Sequence, residues 1–254
     1  MVGLDGDRGP LETLERDTYG FWADFARGPD GDVSEASGAR LFRTGIRSVS
    51  YNGVVGPGEN VDETLARVRA WGLPARWLVS NTARGFEAAL IARGLTVLDE
   101  WPGMVAPVSD LAEPKPGDIT TEEVRDHAQF DTWADVFCDA FGLSGDAARF
   151  MRDAHGWPCL HDESRTYLIL RRDGVAIATG LLRSTPGVAG VYGIAVRRAF
   201  QKRGVGALAT LLTVREGARR GATLAVLQAT TEGFPVYERL GFQTICSFRS
   251  WKIA

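Results

Sequence analysis

The feature that most constrains this sequence lies between Val191 and Gly206, where an apolar run, a basic loop and the predicted start of a helix follow one another. The run Val191–Val196 has the composition of a short strand that is buried on both faces. Four cations then fall within seven residues: Arg197, Arg198, Lys202 and Arg203. Gly204 and Gly206 leave the backbone open to an anion, and the unpaired amides of the first helical turn carry the positive end of the helix dipole. This arrangement predicts a binding site for phosphate.

Two common phosphate loops do not fit this spacing. A P-loop closes with Gly-Lys-Ser/Thr, whereas Gly206 is followed by Ala207 and Leu208. The Rossmann fingerprint is matched formally by Gly204, Gly206 and Ala209. However, a Rossmann turn follows its strand directly, and here a basic segment of seven residues intervenes. We therefore predict neither a P-loop nor a dinucleotide-binding turn.

A second stretch, Leu224–Phe242, helps to identify the kind of phosphate loop. Leu224–Gln228 has the composition of another buried strand, and the residues after it predict a short helix with Pro235 in its first turn and a glycine at its end. Together, the ordered strand, basic loop, helix, strand and tyrosine-bearing helix resemble the GNAT superfamily of N-acyltransferases. The segment Gln201–Ala207 is similar to that family's Q/R-x-x-G-x-G/A acetyl-CoA loop. The resemblance extends from Ile119 to the C-terminus, about half of the chain.

The resemblance implies an α/β (α+β) fold in which each GNAT-like domain is a mixed, mostly antiparallel sheet flanked by helices. It also implies direct transfer of an acetyl group from acetyl-CoA, a co-substrate, to a primary amine. The coenzyme's pyrophosphate would bind Gln201, Lys202, Arg203, Gly204, Val205, Gly206 and Ala207, and its thioester arm would pair with the backbone of Ile194, Ala195 and Val196. Gly193 marks either a β-bulge beside that arm or a glycine kept for packing alone.

In the family's closing motif, a tyrosine on the helix after the fifth strand lies beside the coenzyme sulfur, and the matching residue here is Tyr237. Because a phenol has a pKa near 10, slightly above that of a thiol, Tyr237 would donate a proton to the departing sulfur. The attacking amine must also lose a proton, directly or through water. The sequence leaves several general bases open: Glu232, Glu163, Asp162, His161 and Tyr192. We carry Glu232 forward with Tyr237 as the predicted catalytic pair.

The two halves of the chain share their spacing, which predicts an internal duplication, with a chance match of two strand-helix-strand patterns as the alternative. Asn81 and Gln228 lie 147 positions apart, as do Gly94 and Gly241, and an offset of 141 relates an earlier pair of strands. We therefore expect six additional residues in the second copy, at the phosphate loop. The first copy has three carboxylates where the second has its basic loop, and it has Leu90 in place of the tyrosine. These differences predict that the N-terminal half has a GNAT-like fold but binds no coenzyme.

The prolines and charges of Asp110–Gly117 are the best linker signal in the sequence. We predict a degenerate GNAT-like domain at residues 1–110, a linker at 111–118 and a catalytic GNAT domain at 119–254. Locally, the polar stretch Gly28–Gly38 predicts a loop, and Asp173-Gly174 predicts the turn of a β-hairpin.

Composition argues against several function classes. With 29 Lys and Arg against 32 Asp and Glu, the chain lacks the surplus of cations that general nucleic-acid binding requires. Its three separated cysteines suit a reducing cytoplasm, and neither a signal peptide nor an apolar run of membrane-spanning length is apparent. His155, Cys159 and His161 lack a fourth ligand, so we expect no metal. We expect a cytoplasmic enzyme, monomeric or homodimeric, whose acceptor is a small-molecule or peptide amine.

Two alternative functions stay open at this point. One is a regulatory module that holds acetyl-CoA without turnover, although an intact Tyr237 argues against it. The other is transfer of a longer acyl group. Loops and the first helices set acceptor choice in this family, and their sequence carries no transferable motif. The slightly acidic composition weakly favours a cationic small molecule.

Overall fold

Residues 9–253, which the computed structural model describes, contain eleven strands and seven helices. The N-terminal half consists of α1 (Pro10–Ala23), β1 (Asp32–Ala36), β2 (Ala39–Arg43), β3 (Asn52–Val55), α2 (Val61–Arg69), β4 (Ala75–Ser80), α3 (Phe86–Ile91) and β5 (Thr96–Pro107). The C-terminal half consists of β6 (Ile119–Glu123), α4 (His127–Phe141), α5 (Gly145–His161), β7 (Arg165–Arg172), β8 (Val175–Thr185), β9 (Val188–Val196), α6 (Val205–Arg219), β10 (Leu224–Gln228), α7 (Phe234–Leu240) and β11 (Gln243–Ile253). A 3-10 turn, Asp24–Arg27, continues α1.

All eleven strands belong to one sheet, in the order β1-β2-β3-β4-β11-β5-β10-β9-β8-β7-β6. Neighbouring strands are antiparallel except for the pairs β3–β4 and β9–β10, which are parallel. The predicted mixed, mostly antiparallel sheet flanked by helices is therefore confirmed. The order also reveals an exchange, because β11 pairs with β4 of the N-terminal half while β5 pairs with β10 of the C-terminal half. Each half thus completes its sheet with the last strand of the other.

The two halves repeat one order of elements. In each, two antiparallel strands lead into a third, which is connected through a helix to a parallel fourth strand, a short helix and a long last strand. The predicted position of the additional residues is wrong. The loop before the helix comprises residues 56–60 in the first half and 197–204 in the second, a gain of three residues and not six. The helix also lengthens, since α2 has 9 residues and α6 has 15.

Two local predictions have different outcomes. The stretch Gly28–Gly38 is not a loop throughout, because Asp32–Ala36 forms the edge strand β1 and pairs with β2. Because β1 is an edge strand, it can form without alternating apolar residues, and only Ala36 of the strand is buried. The Asp173-Gly174 turn between β7 and β8 is confirmed, and the φ angles of the two residues are 50° and 77°, as a type I′ turn requires.

Helix α1 crosses the middle of the sheet and contributes to two hydrophobic cores. Its Leu14 is buried in a cluster with Phe42 of β2, and its Phe21 is buried in another with Trp133 of α4 and Tyr192 of β9. Helix α6 covers the other face of β8 and β9. Helix α1 therefore belongs to the first half by sequence and to both halves by packing. Among residues 9–253, no helix has the length and apolar character needed to cross a membrane.

Candidate functional site

The strand β9 continues beyond the point where it is paired with β10. The two strands are in parallel register only from Val188 to Gly190, opposite Leu224 to Val226, and they then separate. Beyond Gly190, β9 keeps β8 as its neighbour on one side only. Within residues 9–253, backbone groups on the other side of residues 191–196 have no strand partner, and of these the Val196 carbonyl accepts from the Gln201 side chain. The others are available to an extended ligand that adds to this edge.

A β-bulge interrupts the open part of β9. The register between β8 and β9 shifts between the pairs Thr179–Ala195 and Leu181–Tyr192. Gly193 lies in the bulge with a φ of 56°, and a Cβ there would be only 3.0 Å from Trp133 and 3.1 Å from Leu181. The Thr179 hydroxyl donates to the Gly193 carbonyl at 2.8 Å and fixes its direction. Of the two alternatives for Gly193, the structure shows the bulge, and the close neighbours of Gly193 leave little room for a Cβ there.

The basic loop ends in a helix N-terminus without a side-chain cap. Gly204 occupies the N-cap position with a φ of 78°. The first helical bond runs from the Leu208 amide to the Gly204 carbonyl, at 3.1 Å. The amides of Val205, Gly206 and Ala207 precede it and have no acceptor within the helix. A Cβ on Gly206 would make an ordinary 3.7 Å contact with Val196, so no contact within residues 9–253 requires glycine there. A ligand close to the backbone would require it.

The side chains of the loop divide into two groups. Gln201 is exposed, and its amide nitrogen donates to the Val196 carbonyl at 3.0 Å, which ties the loop to the end of β9. Arg197 is turned back onto the sheet, because its Nε donates to the Ala176 carbonyl at 2.8 Å. Lys202 and Arg203 are exposed and form no ion pair within residues 9–253. These last two cations therefore remain available to an anion at the helix start.

The matching helix start in the first half is occupied by its own side chains. The Asn60 side chain caps α2 by accepting from the Glu63 amide at 3.2 Å. Asp62 lies in the first turn and accepts from Arg93 through both carboxylate oxygens, at 2.7 and 2.6 Å. Leu90, at the position that matches the tyrosine, is fully buried in the core. The positive end of this helix is already neutralised, in contrast to that of α6.

Tyr237 lies on α7, the helix that follows β10, and is partly buried. Its ring meets that of Phe242 edge-on at 6.0 Å, and a Cβ on Gly233 would be 2.8 Å from it. Burial raises the pKa of Tyr237 to about 12, so the phenol stays protonated at neutral pH. Within residues 9–253 its hydroxyl makes no hydrogen bond. The group is therefore a proton donor with no competing partner.

The candidate general bases fall into three environments. Glu232 is exposed in the turn between β10 and α7, at the same end of β10 as Tyr237. His161, Asp162 and Glu163 precede β7, whose first residue pairs with Arg183 on β8 and thus lies away from the bulge. Asp162 also accepts from the amide and hydroxyl of Ser164, at 3.0 and 2.6 Å. The strand order therefore places Glu232, and not residues 161–163, near the unpaired part of β9.

Tyr192, the fifth candidate base, is buried and engaged. Its hydroxyl donates to an Asp17 carboxylate oxygen at 2.7 Å, and its ring stacks on Phe21 with the centroids 3.6 Å apart. Burial and the neighbouring Asp17 carboxylate raise the pKa of Tyr192 well above its usual value. A phenol that is already a donor to a carboxylate is a poor acceptor of the amine's proton.

Sequence reasoning missed the group that engages Tyr192. Asp17 and Asp24, from α1 and its 3-10 turn, both form ion pairs with Arg183 of β8, at 2.8 and 2.9 Å. Burial raises the pKa of the Asp17 carboxyl, and the Arg183 guanidinium opposes that effect. A signal was present, since Asp17 is a polar residue on the apolar face that α1 forms with Leu14 and Phe21.

The histidine and cysteine near the end of α5 are core residues. His155 is buried, its Nδ1 lies 3.1 Å from the Tyr167 hydroxyl, and burial lowers its pKa to about 3. Burial raises the pKa of the Cys159 thiol to about 12. Among residues 9–253, no group of three or more His, Cys, Asp or Glu side chains is placed to hold a metal ion.

Two surface clefts lie elsewhere. One, of about 470 Å³, adjoins the start of α2 and α3, and the other, of about 620 Å³, lies between residues 28–31, residues 44–47 and α5. Neither is lined by a predicted site residue.

Comparison with known proteins gives this site a context. The model of the Acetyltransferase (GNAT) family matches residues 130–242, which contain the open edge of β9, the basic loop and Tyr237. A GCN5-related N-acetyltransferase from Kribbella flavida has a TM-score of 0.71 and 19% sequence identity, over 94% of each chain. A GCN5-related N-acetyltransferase from Sphaerobacter thermophilus has a TM-score of 0.60 and 15% identity, over 88% of this chain and 76% of that one.

The whole length of the chain also has structural counterparts. A tandem GNAT protein from the clavulanic acid biosynthesis pathway has a TM-score of 0.58 and 11% identity, over 96% of each chain. At these identities the likeness concerns the fold, including its two GNAT-like halves in tandem. No curated protein sequence matches the chain.

Proposed function

Because residues 130–242 form an acetyltransferase domain of the GNAT family, we propose that the protein transfers an acetyl group from acetyl-CoA to a primary amine by direct attack. The observation that carries the proposal is the adjacency of two open features, the unpaired edge of β9 and the uncapped N-terminus of α6. A thioester coenzyme needs both, one for its extended arm and one for its pyrophosphate.

The pyrophosphate would be bound by the free amides at the start of α6, those of Val205, Gly206 and Ala207. Gly204 opens the backbone, and Gln201 holds the loop against β9. Lys202 and Arg203 would supply charge from the exposed side, where charge-assisted contacts to phosphate are favourable. The uncapped helix and the absence of any contact within residues 9–253 that requires glycine at 206 support this assignment.

The thioester arm would pair with the backbone of Ile194, Ala195 and Val196, on the side of β9 that β10 leaves open. The bulge at Gly193 turns the strand at the inner end of this segment. A carbonyl held there would lie between β9 and the end of β10, where α7 begins.

We assign Tyr237 as the general acid and Glu232 as the general base. The amine nitrogen attacks the thioester carbonyl carbon, the carbon–sulfur bond breaks, and the thiolate takes a proton from the Tyr237 hydroxyl. The proton lost by the amine passes to Glu232, directly or through one water. Tyr237 is suited to its part because it is protonated at neutral pH and its hydroxyl is uncommitted within residues 9–253.

The remaining assignments are also proposals. We divide the chain into a degenerate domain at residues 1–110, a linker at 111–118 and the catalytic domain at 119–254. The capped, acidic start of α2 supports a first domain that binds no coenzyme. We propose a small-molecule or peptide amine as acceptor, a monomer or homodimer as the working unit, and the cytoplasm as its location, given three cysteines that form no disulfide.

The test separates binding from turnover. Calorimetric titration with acetyl-CoA, propionyl-CoA and longer acyl-CoA esters measures which donor is held. Release of free thiol from acetyl-CoA, with polyamines, aminoglycosides, amino acids and amino-terminal peptides as acceptors, measures transfer. We expect tight binding of acetyl-CoA and amine-dependent thiol release. Binding without release would favour the regulatory alternative, and a clear preference for a long chain would refute acetyl transfer.

A further inference from the structure

Helix α1 of the first half touches both strands at the point where they separate. The Tyr192 hydroxyl of β9 donates to Asp17 Oδ2 at 2.7 Å. The Gln228 amide nitrogen of β10 donates to the Thr18 hydroxyl at 2.6 Å. Asp17 and Thr18 are consecutive residues, so one turn of α1 spans the gap between the two strands. The first half thus contributes directly to the walls of the opening in the second.

Asp17 is held in place by a buried network of charges. Its Oδ1 accepts from Arg183 Nη1 at 2.8 Å, and Asp24 Oδ2 accepts from the Nε and Nη2 of the same guanidinium at 3.1 and 2.9 Å. All three side chains are buried. Burying charges carries a desolvation cost that apolar residues of similar size avoid, so such a network is weak evidence of stabilisation and suggests a specific role.

The backbone is shaped to admit this network. A Cβ on Gly190 of β9 would lie 2.3 Å from Asp17 Oδ2, and a Cβ on Gly20 of α1 would lie 2.5 Å from Arg183 Nη2. Both distances are far below any real carbon contact. Alanine at either position would push the carboxylate or the guanidinium aside. The two glycines therefore accommodate a close approach of α1 to β8 and β9 at the position of these charges.

Tyr192 connects the Asp17–Arg183–Asp24 network to the β9 bulge. Tyr192 precedes Gly193, and its ring lies parallel to that of Phe21, with an interplanar angle of 1° and centroids 3.6 Å apart. Phe21 is anchored in turn, because Arg165 Nη2 donates to its carbonyl at 2.7 Å. Tyr192 is thus fixed by ring stacking and by its hydroxyl, and only the bulge residue Gly193 separates it from the segment assigned to the thioester arm.

We propose that Asp17 is a positioning residue for acyl transfer, acting through Tyr192 to hold the β9 bulge in the register that aligns the thioester. The inference rests on the proposed function, since it concerns the same site. It gives the first half a part in catalysis although that half binds no coenzyme. Glycine has a wide range of backbone conformations, and at the bulge the Thr179 hydroxyl holds only the Gly193 carbonyl, so the position of the strand also depends on Tyr192. Displacement of a reacting group by about 1 Å costs roughly 100-fold in rate.

The inference predicts different effects on turnover and on affinity for acetyl-CoA. Affinity for acetyl-CoA depends mainly on the amides of α6, which Asp17 does not touch, whereas alignment of the thioester depends on β9. Asp17→Asn and Tyr192→Phe are therefore expected to lower kcat about 10- to 100-fold while the Kd for acetyl-CoA stays within about twofold. Asp24→Asn is the matched control, because it removes the other carboxylate that pairs with Arg183, while Tyr192 donates to Asp17 and not to Asp24.

The experiment measures three properties of the wild type and these variants: kcat from thiol release with the best amine of the acceptor panel, Kd and stoichiometry from calorimetric titration with acetyl-CoA, and the thermal midpoint. We expect Asp24→Asn to lose thermal stability and keep kcat within about twofold. Asp17→Asn and Tyr192→Phe should lose kcat at unchanged stoichiometry. Equal kcat values in all three variants, or a loss of stoichiometry that accounts for the loss of kcat, would overturn the inference.

A measurement without substrate distinguishes this inference from the proposed function. Hydrogen–deuterium exchange of the free protein reports on the amides of residues 193–196. Faster exchange there in Asp17→Asn and Tyr192→Phe, but not in Asp24→Asn, supports control of the bulge by Asp17. Unchanged exchange refutes it. An inactive wild type would count against the proposed function alone, and the exchange result would still decide whether Asp17 controls the bulge.

Discussion

Replacement of Gly206 by glutamate tests the phosphate site without disturbing the fold. The added Cβ makes only an ordinary 3.7 Å contact with Val196, and the residue lies in the first turn of α6. Glutamate has a helix propensity roughly 0.5 kcal/mol better than that of glycine. A carboxylate near the positive end of the helix dipole contributes about 0.3–1 kcal/mol more. The free energy of unfolding should therefore rise by about 1 kcal/mol, which raises the thermal midpoint by roughly 2–4 °C for a chain of this size.

The same substitution should weaken coenzyme binding. Two unit charges about 4 Å apart repel by about 1 kcal/mol in water and by about 4 kcal/mol at the lower effective dielectric of a protein surface. With two phosphate charges beside one carboxylate, the penalty is at least about 2 kcal/mol. That corresponds to a Kd for acetyl-CoA at least about 30-fold higher, measured by calorimetric titration.

Gly206→Gln is the matched control, since it has nearly the same shape and no charge. The difference in Kd between the two variants isolates the repulsion, and it should shrink as salt is added. An unchanged Kd in Gly206→Glu, or equal losses in both variants at low salt, would refute the placement of pyrophosphate at the start of α6.

Three further predictions concern the remaining side chains. Tyr237→Phe should lower kcat about 100-fold or more with little change in the Kd for acetyl-CoA, and unchanged turnover would assign the acid elsewhere. In the wild type, kcat should show no loss from phenol ionisation up to about pH 10, because burial raises the pKa of Tyr237 to about 12. Glu232→Gln should also lower kcat about 100-fold near neutral pH. The loss should shrink at high pH, because the amine then binds without its ammonium proton and the proton it loses on attack can pass to solvent. A pH-independent loss would contradict the assignment. His155 is buried with its pKa lowered from 6.5 to about 3, so the unfolded chain binds a proton that the folded chain does not over that range. The contribution of His155 should therefore lower the free energy of unfolding by about 1.4 kcal/mol for each pH unit below 6.5. In His155→Gln this pH-dependent loss should disappear, as measured by chemical denaturation at a series of pH values.

The parts of the site that are local in sequence were predictable. The strand, basic loop and helix N-terminus follow one another in the chain, so glycine positions and charge order were enough to locate them. For Gly193 the sequence narrowed the reading to two alternatives, a bulge or a packing glycine, because a lone glycine weakens an apolar strand and often marks the point where the strand bends. The edge strand Asp32–Ala36 was not predictable, since it has one buried residue and no apolar alternation to mark it.

Long-range features left no comparable signal. The exchange of β5 and β11 between the halves depends on which strands meet in space, and both strands have ordinary sequences for either pairing. The additional residues of the second half were misplaced because an offset between strands does not reveal whether a loop or a helix has grown. Asp17 was visible only as a polar residue on an apolar helix face, and its role could not be predicted because its partners, Arg183 and Tyr192, lie more than 160 positions away in the chain.

The exchange of strands and the contacts of α1 together give the first half a structural part in the opening of the second. The opening between β9 and β10 has two walls, and each is supported from the first half. β10 is flanked by β5, which pairs with it from Leu224 to Gln228. β9 has lost β10 as a partner along its outer part, and the hydrogen bond from Tyr192 to Asp17 of α1 supports it where the two strands separate. A sheet that opens to admit a ligand must replace the interactions that pairing would have provided. In this chain the replacement comes from the first half, where β3 and β4 are paired from Gly53 to Val55 and α2 is capped.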